Sequence, residues 1–272
     1  TICVSNVGYK TKGGHLTSPD TQTNWNGITG RIELIGYKNA HAENVMLWCD
    51  IYSKTVRVTA NITGGKSGKA VISAESFNSE KSHTPEVQSF EYTDGKLDAL
   101  YKMGDDCLLW SEHEPNLYKL KIDIDGDVSE HIIGMREFRT EGGKFTINGE
   151  KTFLRGKHDG MIFPKTAFAP TDLEEWLRIM KISKSYGMNH YRYHTCCPPE
   201  AAFIAADMLG IYMEPQLPFW GTITEEGEEN HNQEEQDFLV ESQRIETDER
   251  QLSIGIIGQV KAGKSSFLNA LL

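Results

Sequence analysis

Apolar positions in the first 140 residues tend to recur every second residue. Val56, Val58, Ala60 and Ile62 alternate with Arg57, Thr59 and Asn61, the period of a strand with one dry face and one wet face. Alternating or β-branched runs also occupy 2–7, 30–34, 44–50, 55–62, 70–76, 88–92, 118–124 and 129–138, separated by Gly, Asn, Asp and Pro turns. Many short strands with regular turn signals predict β-sandwiches. The turn-forming stretch at Asp50–Ser53 predicts a domain break. Residues 1–52 then hold the last strands of one β domain. Residues 53–140 form a second domain, with Trp110 and residues 115–117 in the loop before a late strand.

The period changes after residue 140. Residues 144–147 and 151–154 flank Asn148-Gly149, a strong short hairpin signal. A strand at 153–156 follows. Residues 171–186 then show helical spacing of Leu173, Trp176, Leu177, Met180 and Ile182, leaving Glu174, Glu175, Arg178 and Lys181 for water. Thr171 and Glu174 read as a capping box, and Gly187 as the left-handed residue that ends the helix. A strand at 189–194, a helix at 199–209 opened by Pro199 and closed by Gly210, and a strand at 211–213 complete the run. Strand–helix alternation with short links implies a parallel sheet. Its polar and aromatic side chains stand where strands end, the place where α/β barrels hold their ligands.

Composition narrows the function classes. The chain has 272 residues, 38% hydrophobic and 25% charged, as in an ordinary soluble globular protein. It contains no apolar run of about 18 residues, so no membrane span is expected. The net charge of −11 is concentrated. Residues 225–250 carry eleven Asp or Glu against two Lys or Arg, a local balance of −9. That stretch reads as a solvated loop leading to a helix at 232–245. No basic face points to nucleic acid. Five cysteines, odd in number and without metal-ligand spacing, predict reduced thiols and no metal site. The chain begins at Thr1 in mid-pattern, which suggests a missing N-terminus and leaves localisation unassigned.

Four segments, in order, resemble glycoside hydrolase family 2, the β-galactosidase, β-glucuronidase and β-mannosidase group. They are residues 23–34 (TNWNGITGRIEL), 109–118 (LWSEHEPNLY), 133–138 (IGMREF) and 145–156 (FTINGEKTFLRG). The resemblance covers about 1–245. It implies the end of a jelly-roll sugar-binding-type domain over 1–52, an immunoglobulin-like β-sandwich over 53–140, and the N-terminal part of a TIM-barrel catalytic domain over 141–245. It also implies a carbohydrate substrate and no cofactor. Lys157-His158-Asp159 looks like the family's basic-His-acidic group after the first barrel strand. Asn189 and Arg192 fit its Asn and Arg three residues apart. His194 stands one residue earlier than the family's His, with Thr195 in that place. Trp220, in Leu217-Pro-Phe-Trp, resembles its aromatic wall. The expected substrate-binding set is therefore His158, Asp159, Asn189, Arg192, His194 and Trp220. Arg192 also reads as a structural ion-pair partner, the two histidines as ordinary loop residues, and Trp220 as a plain cover for the barrel mouth.

Retaining glycoside hydrolysis needs two carboxylates flanking the scissile bond. The family places its acid/base Glu in an Asn-Glu pair after the fourth barrel strand, and no such pair follows Trp220. Glu214, followed by Pro215, is a poor substitute. The expectation is a glycosidase fragment without catalytic residues. A non-catalytic carbohydrate-binding or scaffold β protein, with Trp25 and Trp220 as stacking candidates, is the alternative.

Residues 246–272 pose a separate question. Gly258-Gln-Val-Lys-Ala-Gly263-Lys264-Ser265 satisfies the P-loop pattern, preceded by a strand-like run and followed by a helical one. It resembles the first loop of dynamin-like GTPases over about twenty residues. Gly258, Gly263, Lys264 and Ser265 would then hold phosphate. GTP and Mg²⁺ would be partners only of a completed domain, since no Walker-B Asp or switch accompanies this P-loop stub.

Overall fold

The computed structural model describes residue 30 and residues 32–217. The expected strand at 2–7, Trp25, Trp220, the helix at 232–245 and the P-loop lie outside the described residues. Two compact units emerge. One groups 32–153 with 207–210, the other 154–206 with 211–217.

The first unit is built from ten strands: β1 (His41–Asp50), β2 (Thr55–Thr63), β3 (Gly68–Ser76), β4 (Gln88–Tyr92), β5 (Lys96–Lys102), β6 (Tyr118–Ile124), β7 (Asp127–Ile133), β8 (Phe138–Glu141), β9 (Lys144–Ile147) and β10 (Glu150–Lys151). They form antiparallel sheets of order β1-β2-β5, β4-β3-β6-β7 and β10-β9-β8. Alternation decides which side chains are buried. Val56, Val58, Ala60 and Ile62 of β2 share one apolar core with Leu97, Ala99 and Tyr101 of β5, Ala70, Ile72 and Ala74 of β3, and Leu120, Ile122 and Ile124 of β6. The opposite faces are polar. Arg57 grips Asp98 with two hydrogen bonds of 2.9 and 2.7 Å across β2 and β5. Lys121 lies between Glu75 and Glu130.

Several expectations change. The described residues of the segment 30–34 form no strand, and residues 32–37 have no regular structure. No strand was expected at 96–102, where the structure has β5. The expected run 129–138 is broken: β7 ends at Ile133 and β8 begins only at Phe138. The predicted break at Asp50–Ser53 is the tight turn of the β1–β2 hairpin. Asp50 Oδ1 accepts from the Tyr52 and Ser53 amides, and β1 pairs with β2 from Asp50↔Thr55 to His41↔Thr63. Residues 41–50 therefore share a sheet with 55–63. Asn148 and Gly149 take positive φ of 52° and 82°, as a type I′ turn requires. The Asn148 side chain also accepts from the Glu137 amide and donates to the Trp110 carbonyl.

Two histidines are expected to make this unit less stable in acid. Tyr118 OH accepts from the Leu108 amide at 2.8 Å and lies 2.7 Å from His83 Nδ1. Burial pushes His83 and His131 below the ordinary 6.5, with Asp106 and Glu130 opposing respectively. Because the folded-state values are depressed, the unfolded chain binds protons first as pH falls. The stability they contribute is present above 6.5 and lost on acidification below it. Urea midpoints are expected to drop from pH 7.5 to 5, with a shallower drop in His83→Phe. An identical slope in that variant would remove His83 as a cause.

The second unit is a three-stranded parallel sheet of order β11-β12-β13, with a helix in each connection. The strands are β11 (Gly156–Asp159), β12 (His190–Tyr193) and β13 (Tyr212–Pro215); the helices are α1 (Leu173–Ser185) and α2 (Glu200–Leu209). Asp172, not Thr171, caps α1: its Oδ1 accepts the Glu175 amide at 2.9 Å. A capping side chain reaches the third residue beyond it, so the cap moved one position from the expected box. Gly187, at φ 81°, ends the helix as read, its N–H bonded to the Lys184 carbonyl. Trp176, Leu177, Met180 and Ser183 form the buried face of α1, while Ile182 is 48% exposed.

Candidate functional site

Parallel register divides the second sheet into two faces. His158, Arg192 and Glu214 are register partners, as are Gly156, His190 and Tyr212. The intervening set is Lys157, Tyr191 and Met213, then Asp159, Tyr193 and Pro215. Successive side chains point to opposite faces, so the first two rows share one face. The other face meets α1. Ser183 Oγ and Tyr191 OH are 2.5 Å apart, and Trp176 stands edge-on to Tyr193.

The polar face carries a histidine pair and an Arg–Glu–His–Gln group. The His158 and His194 rings meet edge-on at 5.1 Å between centroids. Arg192 Nε is 3.5 Å from Glu214 Oε1, and its Nη2 donates to Gln216 Oε1 at 3.1 Å. His190 Nε2 lies 3.3 Å from Glu214 Oε2. Burial lowers the His190 pKa, against the pull of Glu214. The result is one guanidinium, three imidazoles, one carboxylate and one amide on a single sheet face. That inventory can donate and accept hydrogen bonds to a polyhydroxylated ligand. Among the described residues, no three His, Cys, Asp or Glu side chains could together hold a metal ion.

The sheet brings together His158, Arg192 and His194 of the expected set. Asp159 is placed elsewhere. Residues 157–159 lie inside β11 rather than after a strand ending at 156. The parity of Asp159 turns its carboxylate to the helix-bearing face, where it is 8% exposed, accepts the Met161 amide and pairs with Lys157 at 3.0 Å. Lys157 Nζ also sits 4.8 Å from the Tyr191 ring centre. Asn189 is also not with the group. It precedes β12, at the end of the sheet opposite His194, about 16 Å of strand away by five residue rises. Its side chain is buried, with Oδ1 accepting the Arg155 amide at 2.7 Å, while its backbone bonds Arg155 and Tyr212. Asn189 stitches three strand starts together. Trp220, Gly258, Gly263, Lys264 and Ser265 lie outside the described residues.

Sequence reading passed over His190 and Gln216 and discounted Glu214. One signal was available: His190, Arg192 and His194 alternate, so a strand through them puts all three on one face. Gln216 continues the parity of Tyr212 and Glu214 past Pro215. The cysteines Cys49, Cys107, Cys196 and Cys197 form no disulfide. Burial pushes the Cys49 and Cys196 thiols up to about 12, which removes them as nucleophiles near neutral pH.

Comparison with known proteins adds a family signal. Residues 40–136 match the family model for glycosyl hydrolases family 2. Similar curated proteins are a β-galactosidase of Staphylococcus xylosus and the β-galactosidase BgaC of Bifidobacterium adolescentis. The first is 26% identical over 141 residues, covering 51% of this chain and 14% of that protein. The second is 25% identical over 207 residues, covering 69% of this chain and 19% of that protein. The chain thus spans less than a fifth of the length of either relative. Similar solved structures include β-glucuronidase 3 of Bacteroides uniformis, at TM-score 0.52 and 24% identity over 67% of this chain and 23% of that one. A family 2 glycosyl hydrolase from Bacteroides cellulosilyticus matches at TM-score 0.51 and 19% identity, over 65% of this chain and 25% of that one. The mostly β architecture with two helices is therefore a fold found in family 2 glycosyl hydrolase structures. No helix among the described residues is long and apolar enough to cross a membrane.

Proposed function

We propose that this sequence is part of a retaining glycoside hydrolase acting on β-linked sugars, and that it supplies sugar-binding rather than catalytic groups. The observation carrying this reading is the family 2 match over 40–136, followed in the chain by a βαβαβ unit whose one polar face gathers His158, Arg192 and His194. In this reading the two larger sheets are an immunoglobulin-like sandwich and the parallel sheet opens a TIM barrel. Residues before the sandwich end a jelly roll. The polar face is the barrel's inner wall, and Arg192 and the two histidines face the sugar hydroxyls.

Retaining chemistry places two carboxylates about 5–5.5 Å apart, one as acid/base and one as nucleophile. Among the described residues the polar face carries one, Glu214, and it is engaged by Arg192, His190 and Gln216. Asp159 is on the other face. This chain is therefore expected to turn over no aryl β-galactoside or aryl β-glucuronide, while the longer protein containing it cleaves at least one with retention. Fluorogenic assays on both check this. Turnover by the chain that survives purification and disappears in Arg192→Ala would refute the missing-pair argument. Silence of the longer protein on every aryl β-glycoside would remove the glycosidase reading.

A further inference from the structure

Gln216 lies one residue past β13, half-buried, with both ends of its side-chain amide and its backbone N–H engaged. Oε1 accepts from Arg192 Nη2 and from the Thr195 backbone N–H, both at 3.1 Å. Nε2 donates to Glu214 Oε1 at 3.4 Å, and the backbone N–H donates to the Cys196 carbonyl at 3.3 Å. Both groups facing Oε1 are donors, so only an oxygen satisfies them; the amide cannot turn over.

What it holds is strained. Thr195 is β-branched and buried, yet has φ 45°. That left-handed conformation is uncommon for any residue with a Cβ and more so for a branched one. Such a turn persists only where its surroundings enforce it. Here the Thr195 N–H is tied to the end of the neighbouring strand. Thr195 directly follows His194, whose N–H donates to the Asp159 carbonyl and whose ring meets His158. The same oxygen that fixes the turn also fixes the guanidinium of Arg192.

We propose that Gln216 is a positioning residue: through the one oxygen shared by Arg192 and the Thr195 amide, it holds the left-handed turn after β12 and so sets where Arg192 and His194 stand on the polar face. The consequence for ligand binding rests on the glycosidase reading; the positioning itself does not. A third strand thereby orients groups carried by the second.

The test uses the ¹⁵N-labelled chain. Gln216→Ala is expected to speed exchange of the Thr195 amide about tenfold, the loss of one net hydrogen bond. It should also shift the Arg192 Nε–H and the His158 and His194 ring signals, leaving the Tyr191 amide within β12 unchanged. Gln216→Glu placed on Glu214→Gln keeps an acceptor oxygen without setting two carboxylates side by side, and should restore Thr195 protection. Thr195→Gly placed on Gln216→Ala should return the His194 ring signals, since Gly takes positive φ without a clamp. Wild-type exchange and wild-type ring signals in Gln216→Ala would overturn the proposal. So would uniform loss of protection across all three strands, or no rescue by either second variant. A separate titration with methyl β-D-galactopyranoside and methyl β-D-glucuronide reads the ligand consequence: binding about tenfold weaker in Gln216→Ala, recovered with Thr195→Gly. If neither sugar perturbs the wild-type polar face, the glycosidase reading fails, while the exchange and ring data still decide the role of Gln216.

Discussion

Replacing Trp176 by Ala is expected to cost the parallel-sheet unit about 3–5 kcal/mol, the range for deleting a fully buried Trp. The side chain is 0% exposed. Its ring stands edge-on to Phe163 at 5.9 Å and to Tyr193 at 6.5 Å. Its Nε1–H donates to the Pro170 carbonyl at 2.7 Å. Three losses coincide in the variant: apolar burial, edge-to-face contacts, and a part-buried carbonyl left without its donor. Trp176→Phe should cost less, because it keeps part of the volume and loses only the hydrogen bond and a ring. Amide exchange within β12, with the far-UV signal of α1 during urea unfolding, measures the effect. A cost below about 1 kcal/mol in Trp176→Ala would mean that the site collapses around the deletion, the factor that sets the spread in such costs. Tyr193 precedes His194, so the same contact carries support from helix to polar face.

Much of this architecture was legible in the order of side chains. Strands β4, β6 and β9 fall where alternation placed them, because each carries apolar residues at one parity between clear turn residues. Strand β5 was missed although Leu97, Ala99 and Tyr101 also alternate. Its wet positions are Lys96, Asp98 and Lys102, and it follows the turn Thr93-Asp94-Gly95, so local polarity resembled a loop. The break at Asp50–Ser53 failed for a different reason. A turn residue announces a reversal of the chain, not whether the strands on either side pair with each other. Pairing is a long-range fact of register, and here it joins Trp48 to Arg57 and Met46 to Thr59.

Site residues were harder, because parity turns small boundary errors into large ones. A strand ending at 156 leaves Asp159 in a loop, able to face a ligand. A strand over 156–159 fixes its direction, and the direction is toward α1. One residue of slip in a strand exchanges its two faces. Asn189 shows the second limit: a polar residue at the start of a strand looks the same in sequence as one at the end. Its buried amide, bonded to Arg155 across the sheet, is a stitch that no local pattern distinguishes from a ligand contact. The trio His158, Arg192 and His194 escaped both problems, since Arg192 and His194 share a parity and His158 comes into register with Arg192.

The first unit tests the same logic of parity with a second large effect. Ile122→Ala in β6 is expected to destabilise the first unit by about 2–5 kcal/mol, the cost of a large-to-small change at a site that cannot collapse. Ile122 is 0% exposed, pairs with Ile72 on one side and Ser129 on the other, and lies in the core shared by both larger sheets. Val71 is the control. It is the chain neighbour of Ile72 on the same strand, but alternation turns it outward, 38% exposed and paired with Asp123. Val71→Ala should stay within about 0.5 kcal/mol, as for surface changes away from special features. Both variants remove aliphatic carbons from a β-branched residue in adjacent central strands, so β-propensity predicts similar small costs. Burial predicts a gap of several-fold. Urea unfolding of the two chains, followed by the exchange of β3 and β6 amides, separates the two accounts. Equal midpoints would show that the core between the larger sheets is not what holds this unit together, and would remove the physical basis for treating residues 41–133 as one sandwich.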